Sequence, residues 1–357
     1  MSLDYAKPAK YMGAIRDCYM GYSNDEFIRK DAASGGVVSA ILIDLLESGK
    51  IDGALVSKQV MDEGKISVKT FIATTKQEIL DCRTSIYMDF PLAKSFKKIL
   101  GFEGKVAVVA LPCHYKTLDH LEKKYPELKE KIYLKIALFC RKSPKKQLIK
   151  SILEKNKINE HDINRLYFRK GHWRGQTHVE LYDGTVINFS YLYNLCTYMN
   201  LYLYFLPKCY YCQNHFGYNI DLSCGDVWLK KMKKNPIKHT AVIAKSKLSS
   251  DLLKELPEKG TLYLQRIEPK EVLLSQKRAL IFKYSTASAR DKIGKYFGLR
   301  GKFDHLEGSK WNHYLASLFI TFNIKAMDNP LLSKGFFLLP RKVAFLYMCF
   351  LRFLVNF

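Results

Sequence analysis

Cys209 and Cys212 form a Cys-x-x-Cys pair inside Pro207-Lys-Cys-Tyr-Tyr-Cys-Gln-Asn-His-Phe-Gly217, a stretch rich in aromatic residues. Two thiolates at this spacing can bite one side of a soft metal centre, and such sites select zinc, copper(I) or iron–sulfur clusters. A pair is only half a ligand set. His215 and Cys224 could complete a local zinc site with it, or the remaining ligands could come from far away in the chain. The remote candidates are Cys113 and Cys140, whose long separations match no zinc finger or ribbon. Downstream, Gly225-Asp226 is a turn dipeptide followed by Trp228. Cys18, Cys82, Cys196 and Cys349 lie in apolar or helical surroundings and read as packing residues.

The elements around Cys113 and Cys140 suggest how remote thiols could meet. Residues 105–111 are a continuous apolar run of strand length, stopped by Pro112 and Cys113, and 114–125 have helical spacing. Residues 132–139 form a second strand ending on Cys140, and Ser143 and Pro144 offer an N-cap and a first-turn proline for a helix to about Asn156. Strand, helix, strand predicts a parallel βαβ unit with a right-handed crossover. Both cysteines would then leave the carboxyl ends of neighbouring strands about 4.8 Å apart, along the edge where open α/β sheets hold their ligands.

Elsewhere, Ser34-Gly35-Gly36 opens an apolar helix over 37–48 that Gly49 closes. Glycines there let backbone N–H groups approach a diphosphate, although a bare Ser-Gly-Gly is also an ordinary cap. Residues 51–57 and 65–73 read as strands, and 75–100 as mostly helical with a break near Pro91. A β-rich insert follows, with a hairpin turn at Asp183-Gly184, and 191–206 read as an aromatic helix leading into the cysteine loop. Strands are expected at 240–244 and 261–266, helices at 249–256 and from 269. From about Leu280 the chain is basic, aromatic and mostly helical. The fold class is therefore α/β: a parallel-sheet core of βαβ units, a hairpin-containing insert and a helical C-terminal region.

The chain has 357 residues, 48% hydrophobic and 26% charged, which is a globular composition. Lys and Arg number 58 against 34 Asp and Glu, a formal charge of +24 that favours anionic partners. The basic residues are scattered without an Arg-rich tract or a nucleic-acid module, so nucleic acid is not the expected partner. Nine irregularly spaced cysteines and a start without an apolar signal core point to reduced thiols in the cytoplasm. The apolar end carrying Arg341, Lys342 and Arg352 is too short to span a bilayer. It reads either as a helix docked on the core or as an interfacial helix at an anionic inner membrane face.

Taken in order, several short motifs resemble the coenzyme F420 hydrogenase/dehydrogenase beta-subunit family, which also holds 7-hydroxymethyl-chlorophyll a reductase and reductase-like proteins of bacterial polysaccharide loci. They are Ser34-Gly-Gly36, Ile51-Asp-Gly-Ala54, Pro112-Cys-His114, Phe139-Cys140, Phe168-Arg-Lys170 with Trp173, Pro207-Lys-Cys-Tyr-Tyr-Cys212 and Ile220-Asp-Leu-Ser-Cys-Gly-Asp-Val-Trp228. The likeness runs from about residue 12 to about residue 260. It implies a flavoprotein oxidoreductase carrying FAD beside one 4Fe-4S cluster, with Cys113, Cys140, Cys209 and Cys212 as cluster ligands. It raises Ser34, Gly35 and Gly36 as a flavin-phosphate site, with Asp226 and Trp228 bordering the flavin or cluster. No Asp, Glu or His stands out as a general acid or base, so no catalytic residue is assigned.

The implied division is a flavin-binding portion over 1–100, an α/β and cysteine portion over 101–260, and a C-terminal extension over 261–357. Family members often carry an added ferredoxin-like Cys-x-x-Cys-x-x-Cys module; this chain has none, so electrons are expected from a separate ferredoxin-like donor. Cys140 is followed by Arg-Lys instead of His-Gly, Leu206 replaces an Arg and Leu229 a Gly. These departures bear on deazaflavin binding more than on the cluster. The polysaccharide-locus members suggest a sugar or glycolipid substrate. The alternative is a basic, non-catalytic scaffold stabilised by zinc, acting at a membrane or on an acidic partner.

Overall fold

The computed structural model describes residues 3–356. Among the described residues eleven strands form two sheets: β1 (Asp17–Ser23), β2 (Gly53–Asp62), β3 (Lys65–Ala73), β4 (Val106–Ala110), β5 (Ile132–Leu138), β6 (Ile163–Lys170), β7 (Gln176–Leu181), β8 (Val186–Ser190), β9 (Leu222–Asp226), β10 (Thr240–Ala244) and β11 (Leu262–Arg266). The large sheet runs β11-β1-β10-β9-β5-β4-β2-β3, and β6-β7-β8 form a separate antiparallel sheet. Within the large sheet β2, β4, β5 and β9 are mutually parallel, while its outer pairings are antiparallel. The expected βαβ unit is β4, the helix Pro112–Lys124 and β5, paired directly.

Alternation along the strands explains the layers. Val106, Val108 and Ala110 of β4 face Phe96, Ile99, Tyr115 and Leu118, whereas Ala107 faces the opposite core with Leu134, Ile136 and Leu222. Helices Val37–Glu47 and Lys247–Glu258 cover that second face through Val37, Ile41, Leu45, Leu252 and Leu256. A strand buried on both faces reads as a continuous apolar run, which is why β4 is so legible. A third core joins the small sheet to the C-terminal helices Trp311–Ala326 and Arg341–Asn356 through residues such as Leu166, Phe168, Ile320, Met348 and Leu351.

Several local expectations are corrected. The strand ends at Ala110 as expected, but the helix begins at Pro112 rather than at 114: Pro112 and Cys113 make its first turn, with Pro112 at the position where no N–H is needed. The next helix starts at Lys146, because Pro144 bridges antiparallel to Phe205 instead of opening it. Residues 191–206 are not one helix: Tyr202 and Tyr204 take φ of 63° and 49°, turning the chain so that 204–206 can meet 143–145. Over 75–100 a short helix, Lys76–Asp81, is followed by a 3₁₀ stretch, Leu92–Ile99, rather than sustained α-helix.

The C-terminal helices lock onto the cysteine loop through Arg290, which is fully buried. Its guanidinium donates to the carbonyls of Tyr210 and Phe282 and to Thr286 Oγ1, and lies 3.9 Å from the Phe282 ring centre. Arg290→Met keeps the volume but strands buried carbonyls, at about 1–3 kcal/mol each. The variant is therefore expected to unfold with a stability loss of roughly 3 kcal/mol, measured as a lower denaturant midpoint at unchanged slope.

Candidate functional site

Three segments converge at the carboxyl edge of β4 and β5. Cys113 lies in the first turn after β4, Cys140 just past β5, and Cys209 in the short helix Pro207–Tyr210 with Cys212 two residues beyond it. A small antiparallel link holds the second and third together: Lys145 N–H donates to Tyr204 O at 2.8 Å, and Leu206 N–H to Ser143 O at 3.4 Å. The third is tied to the first by Asn214, whose amide donates to Pro112 O at 3.4 Å. His215 and Cys140 exchange two bonds, Cys140 N–H to His215 O at 3.0 Å and the His215 ring N–H to Cys140 O at 3.1 Å. Gly225 leaves room for this arrangement, since a Cβ there would meet the Phe139 ring at 2.3 Å.

Three of the four thiols show the influence of their neighbours. Burial pushes the Cys113 thiol up, with Cys212 adding to it. Burial raises Cys140 further, and Cys209, Cys113 and Cys212 all work in the same direction. Cys209 is pushed up to about 11, again chiefly by burial, with Cys212 and Cys113 contributing and the Ser143 backbone opposing. Lys208 counters these effects at Cys113, and one buried cation counters them at all three. Lys283 is buried, and its ammonium donates to Cys212 Sγ at 3.3 Å and to the carbonyls of Cys212 and Asn214 at 3.2 Å each. Its charge favours the thiolates of Cys113, Cys140 and Cys209.

Among the described residues no group of three or more His, Cys, Asp or Glu is disposed to hold a single metal ion. The four thiols are thus gathered without being drawn onto one point. The other zinc candidates lie apart in role. Cys224 packs in the sheet core with Leu222, Val242 and Ile136. His215 spends its ring N–H on Cys140, and burial followed by Lys283 pulls its pKa down to about 3. Its second ring nitrogen is buried beside Gln276 without a well-formed hydrogen bond.

The other sequence candidates form a second, adjoining wall. Arg169 donates to Asp226 Oδ1 and Oδ2 at 2.8 and 2.9 Å and also to Ala33 O, and it lies 5.2 Å from the Trp228 ring. Trp173 meets Trp228 edge-on at 5.1 Å. Lys238 Nζ donates to Ala32 O at 2.6 Å. Gln276, beside His215, donates to Asp226 O at 2.7 Å, which links the two walls. Ser34 Oγ donates to His239 O at 2.7 Å and Gly35 N–H to Thr240 Oγ1 at 2.9 Å. The Ser34 hydroxyl and the Gly35 N–H are therefore spent on the start of β10 and its approach.

Lys283 was not singled out by sequence, although a lone lysine in Ala279-Leu-Ile-Phe-Lys-Tyr284 is the kind of buried charge that demands a partner. Arg169 belongs to the Phe-Arg-Lys motif, but its pairing with Asp226 could not be read from spacing.

Sequence models of the coenzyme F420 hydrogenase/dehydrogenase beta subunit match this chain at residues 18–97 for the N-terminal part and 103–270 for the C-terminal part. The chain belongs to the coenzyme F420 hydrogenase/dehydrogenase beta-subunit family. It is 24% identical to the coenzyme F420 hydrogenase subunit beta of Methanosarcina barkeri, over 82% of this chain and 98% of that one. It spans about half, 54%, of an uncharacterized Methanocaldococcus jannaschii protein at 27% identity. The F420-dependent sulfite reductase of the same organism is 32% identical, over 46% of this chain and 28% of the relative. A chain of the F420-reducing [NiFe] hydrogenase complex of Methanosarcina barkeri shares the fold, with a TM-score of 0.61, 20% identity, and coverage of 85% of this chain and 98% of the other.

The Ser-Gly-Gly motif of this family member is under steric control. A Cβ on Gly35 would meet Gly21 O at 2.6 Å, Lys238 O at 3.0 Å and Thr240 N at 3.1 Å, all backbone atoms. Gly35→Ala should therefore cost at least about 2 kcal/mol, against about 1 kcal/mol for losing the Ser34 hydrogen bond in Ser34→Ala. Thermal denaturation should rank the two variants in that order.

Proposed function

We propose that this chain is an oxidoreductase subunit that holds one 4Fe-4S cluster on Cys113, Cys140, Cys209 and Cys212. FAD would sit beside the wall formed by Ser34, Gly35, Gly36, Asp226 and Trp228. The observation that carries this reading is the convergence of the segments bearing the four cysteines at the carboxyl edge of β4 and β5, tied by the 143–145 and 204–206 link and the Asn214–Pro112 bond, with the buried Lys283 ammonium on Cys212 Sγ. When bound, such a pair of cofactors supplies two-electron flavin chemistry coupled to one-electron transfer. The protein's part is to exclude water, to fix the sulfurs through the 143–145 and 204–206 link, and to place a positive charge where electron density would accumulate. Electrons would come from a separate ferredoxin-like protein, and a sugar or glycolipid is the proposed substrate class. A zinc-stabilised scaffold is the competing outcome.

Anaerobic purification with iron, sulfide, zinc and flavin analysis tests the assignment. About four iron and four sulfide per chain with bound FAD support it, whereas stoichiometric zinc without flavin overturns it. In the loaded protein, Lys283→Met should lower the cluster midpoint by roughly 50–150 mV, while Lys283→Arg should largely preserve it. An EPR-monitored redox titration reads the difference.

The same proposal places the chain at an anionic membrane face. The helix Arg341–Asn356 docks on the core through Ala344, Met348, Leu351 and Val355, yet its outer side shows Val343, Leu346, Phe350 and Phe353. Trp311, at 71%, and Phe322 on the helix Trp311–Ala326 are also exposed, and Arg341 and Lys342 supply positive charge. No helix among the described residues is long and apolar enough to cross a membrane. Leu346→Glu with Phe350→Glu should abolish co-flotation with phosphatidylglycerol vesicles without lowering Tm. Equal flotation would remove the membrane from the proposal.

A further inference from the structure

Three arginines from distant parts of the chain face one cleft. Arg141 follows Cys140, Arg278 lies in the helix Lys277–Leu280, and Arg352 lies in the last helix, with Asn200, Tyr202 and Asn356 among the other lining residues. The cleft is shallow: its cavity volume is about 10 Å³, and the empty space there, open solvent included, is about 260 Å³. A fourth guanidinium, Arg174, is close enough to act on Arg278. Among the described residues none of these four has a carboxylate within 4.0 Å, although the chain forms many ion pairs elsewhere.

Like charges brought together in a half-buried cleft repel, and neutral partners such as Asn200, Tyr202 and Cys196 Sγ take up their donors without cancelling the charge. Burial, then Arg352, Arg174 and Arg141, hold the Arg278 guanidinium below its ordinary value. The cleft is also prepared in detail. The two terminal N–H groups of Arg141 donate to Asn200 Oδ1 at 2.6 Å and to the Tyr202 hydroxyl oxygen at 2.8 Å, fixing the plane of that fork. The Nε atoms of Arg141 and Arg352 are buried without a partner, as is the neighbouring Lys142 ammonium, which lies over the Tyr202 ring at 3.4 Å. Tyr202 can stand there because of its left-handed φ of 63°.

We infer that this cleft is a binding site for a phosphate or diphosphate group, separate from the wall at Ser34–Gly35–Gly36. One carboxylate satisfies one guanidinium fork; three forks around one mouth match a tetrahedral anion of charge two or more. Arg278 and Arg352 lie beyond residue 270, where the match to the family's sequence model ends. The C-terminal helix of this chain thus supplies part of the site, and the site stands whether or not the cluster assignment holds. Since Arg141 directly follows Cys140, a bound phosphoryl ligand would lie next to the thiol group.

The group could belong to a soluble phosphate ester or to a lipid headgroup, and the test separates them. Calorimetry of the full chain, purified anaerobically with whatever cofactors it retains, uses inorganic pyrophosphate as the soluble probe. Wild type should bind it at one site, more weakly as NaCl rises. Arg278→Gln with Arg352→Gln should bind at least tenfold more weakly, and Arg278→Lys should keep most of the affinity. If pyrophosphate fails but phosphatidic acid vesicles retain wild type and release the double variant, the site is confirmed with a lipid phosphate as its source. No difference between wild type and double variant in either arm overturns the proposal, as does release of bound flavin by pyrophosphate. Without anion, Arg278→Gln should be at least as thermostable as wild type because only repulsion is removed. A lower Tm would show that Arg278 serves the fold rather than a ligand.

Discussion

Keeping an ammonium dry among sulfur atoms is the constraint on which this architecture turns. Lys283 carries its charge into a region where an isolated cation would cost several kcal/mol, and it is held there by two backbone carbonyls and one thiol. Those acceptors exist only because the loop after Cys212 folds back, with Gly217 N–H on Asn214 Oδ1 at 2.8 Å. The loop in turn is held from outside: Gln213 exchanges bonds with His305, and Tyr211 O–H donates to Leu299 O. Removing any layer would leave the charge without a reason to be buried.

The sheet and the C-terminal helices therefore divide the work. Parallel strands deliver Cys113 and Cys140 to one edge at fixed spacing, which is what a rigid scaffold does well. They cannot deliver the Cys-x-x-Cys pair, which arrives on a loop whose approach is set by the left-handed Tyr202 and Tyr204. Such backbone conformations cost of order 1–3 kcal/mol each and persist where the surroundings over-determine them. Here Phe205, Phe282 and Arg290 do so by packing around Tyr202 and Tyr210.

What could be read in the chain before folding follows the same division. Strands β4 and β5 are legible because burial on both faces leaves continuous apolar runs, and the two cysteines at their exits follow from strand order alone. The bridge between Pro144 and Phe205 is not legible, since Ser143-Pro144 carries an equally good helix-start signal and only the partner strand decides between them. Lys283 and the Arg169–Asp226 pair are long-range choices of the same kind: each residue type is ordinary, and its meaning comes from what lies across the fold. The last helix illustrates a false dichotomy. It was expected either to dock or to lie at an interface, and its two apolar stripes allow one face to dock while the other stays exposed.

The formal charge of +24 looked like a diffuse property of the surface, and the fold resolves it into unlike local situations. Arg169 is neutralised by Asp226 and serves the wall beneath Trp228. Lys283 has no carboxylate but has thiols, so its charge matters only to the degree that they ionise or bind metal. Arg141, Arg278 and Arg352 have no carboxylate among the described residues; Arg352 has only Cys196 Sγ, at 3.5 Å. A protein under selection for stability alone would have placed an Asp or Glu among them, as it did at Lys135 with Glu122 and Arg83 with Asp31. Leaving that place vacant, one residue past Cys140, makes the compensating anion something that arrives from outside and arrives next to the thiols.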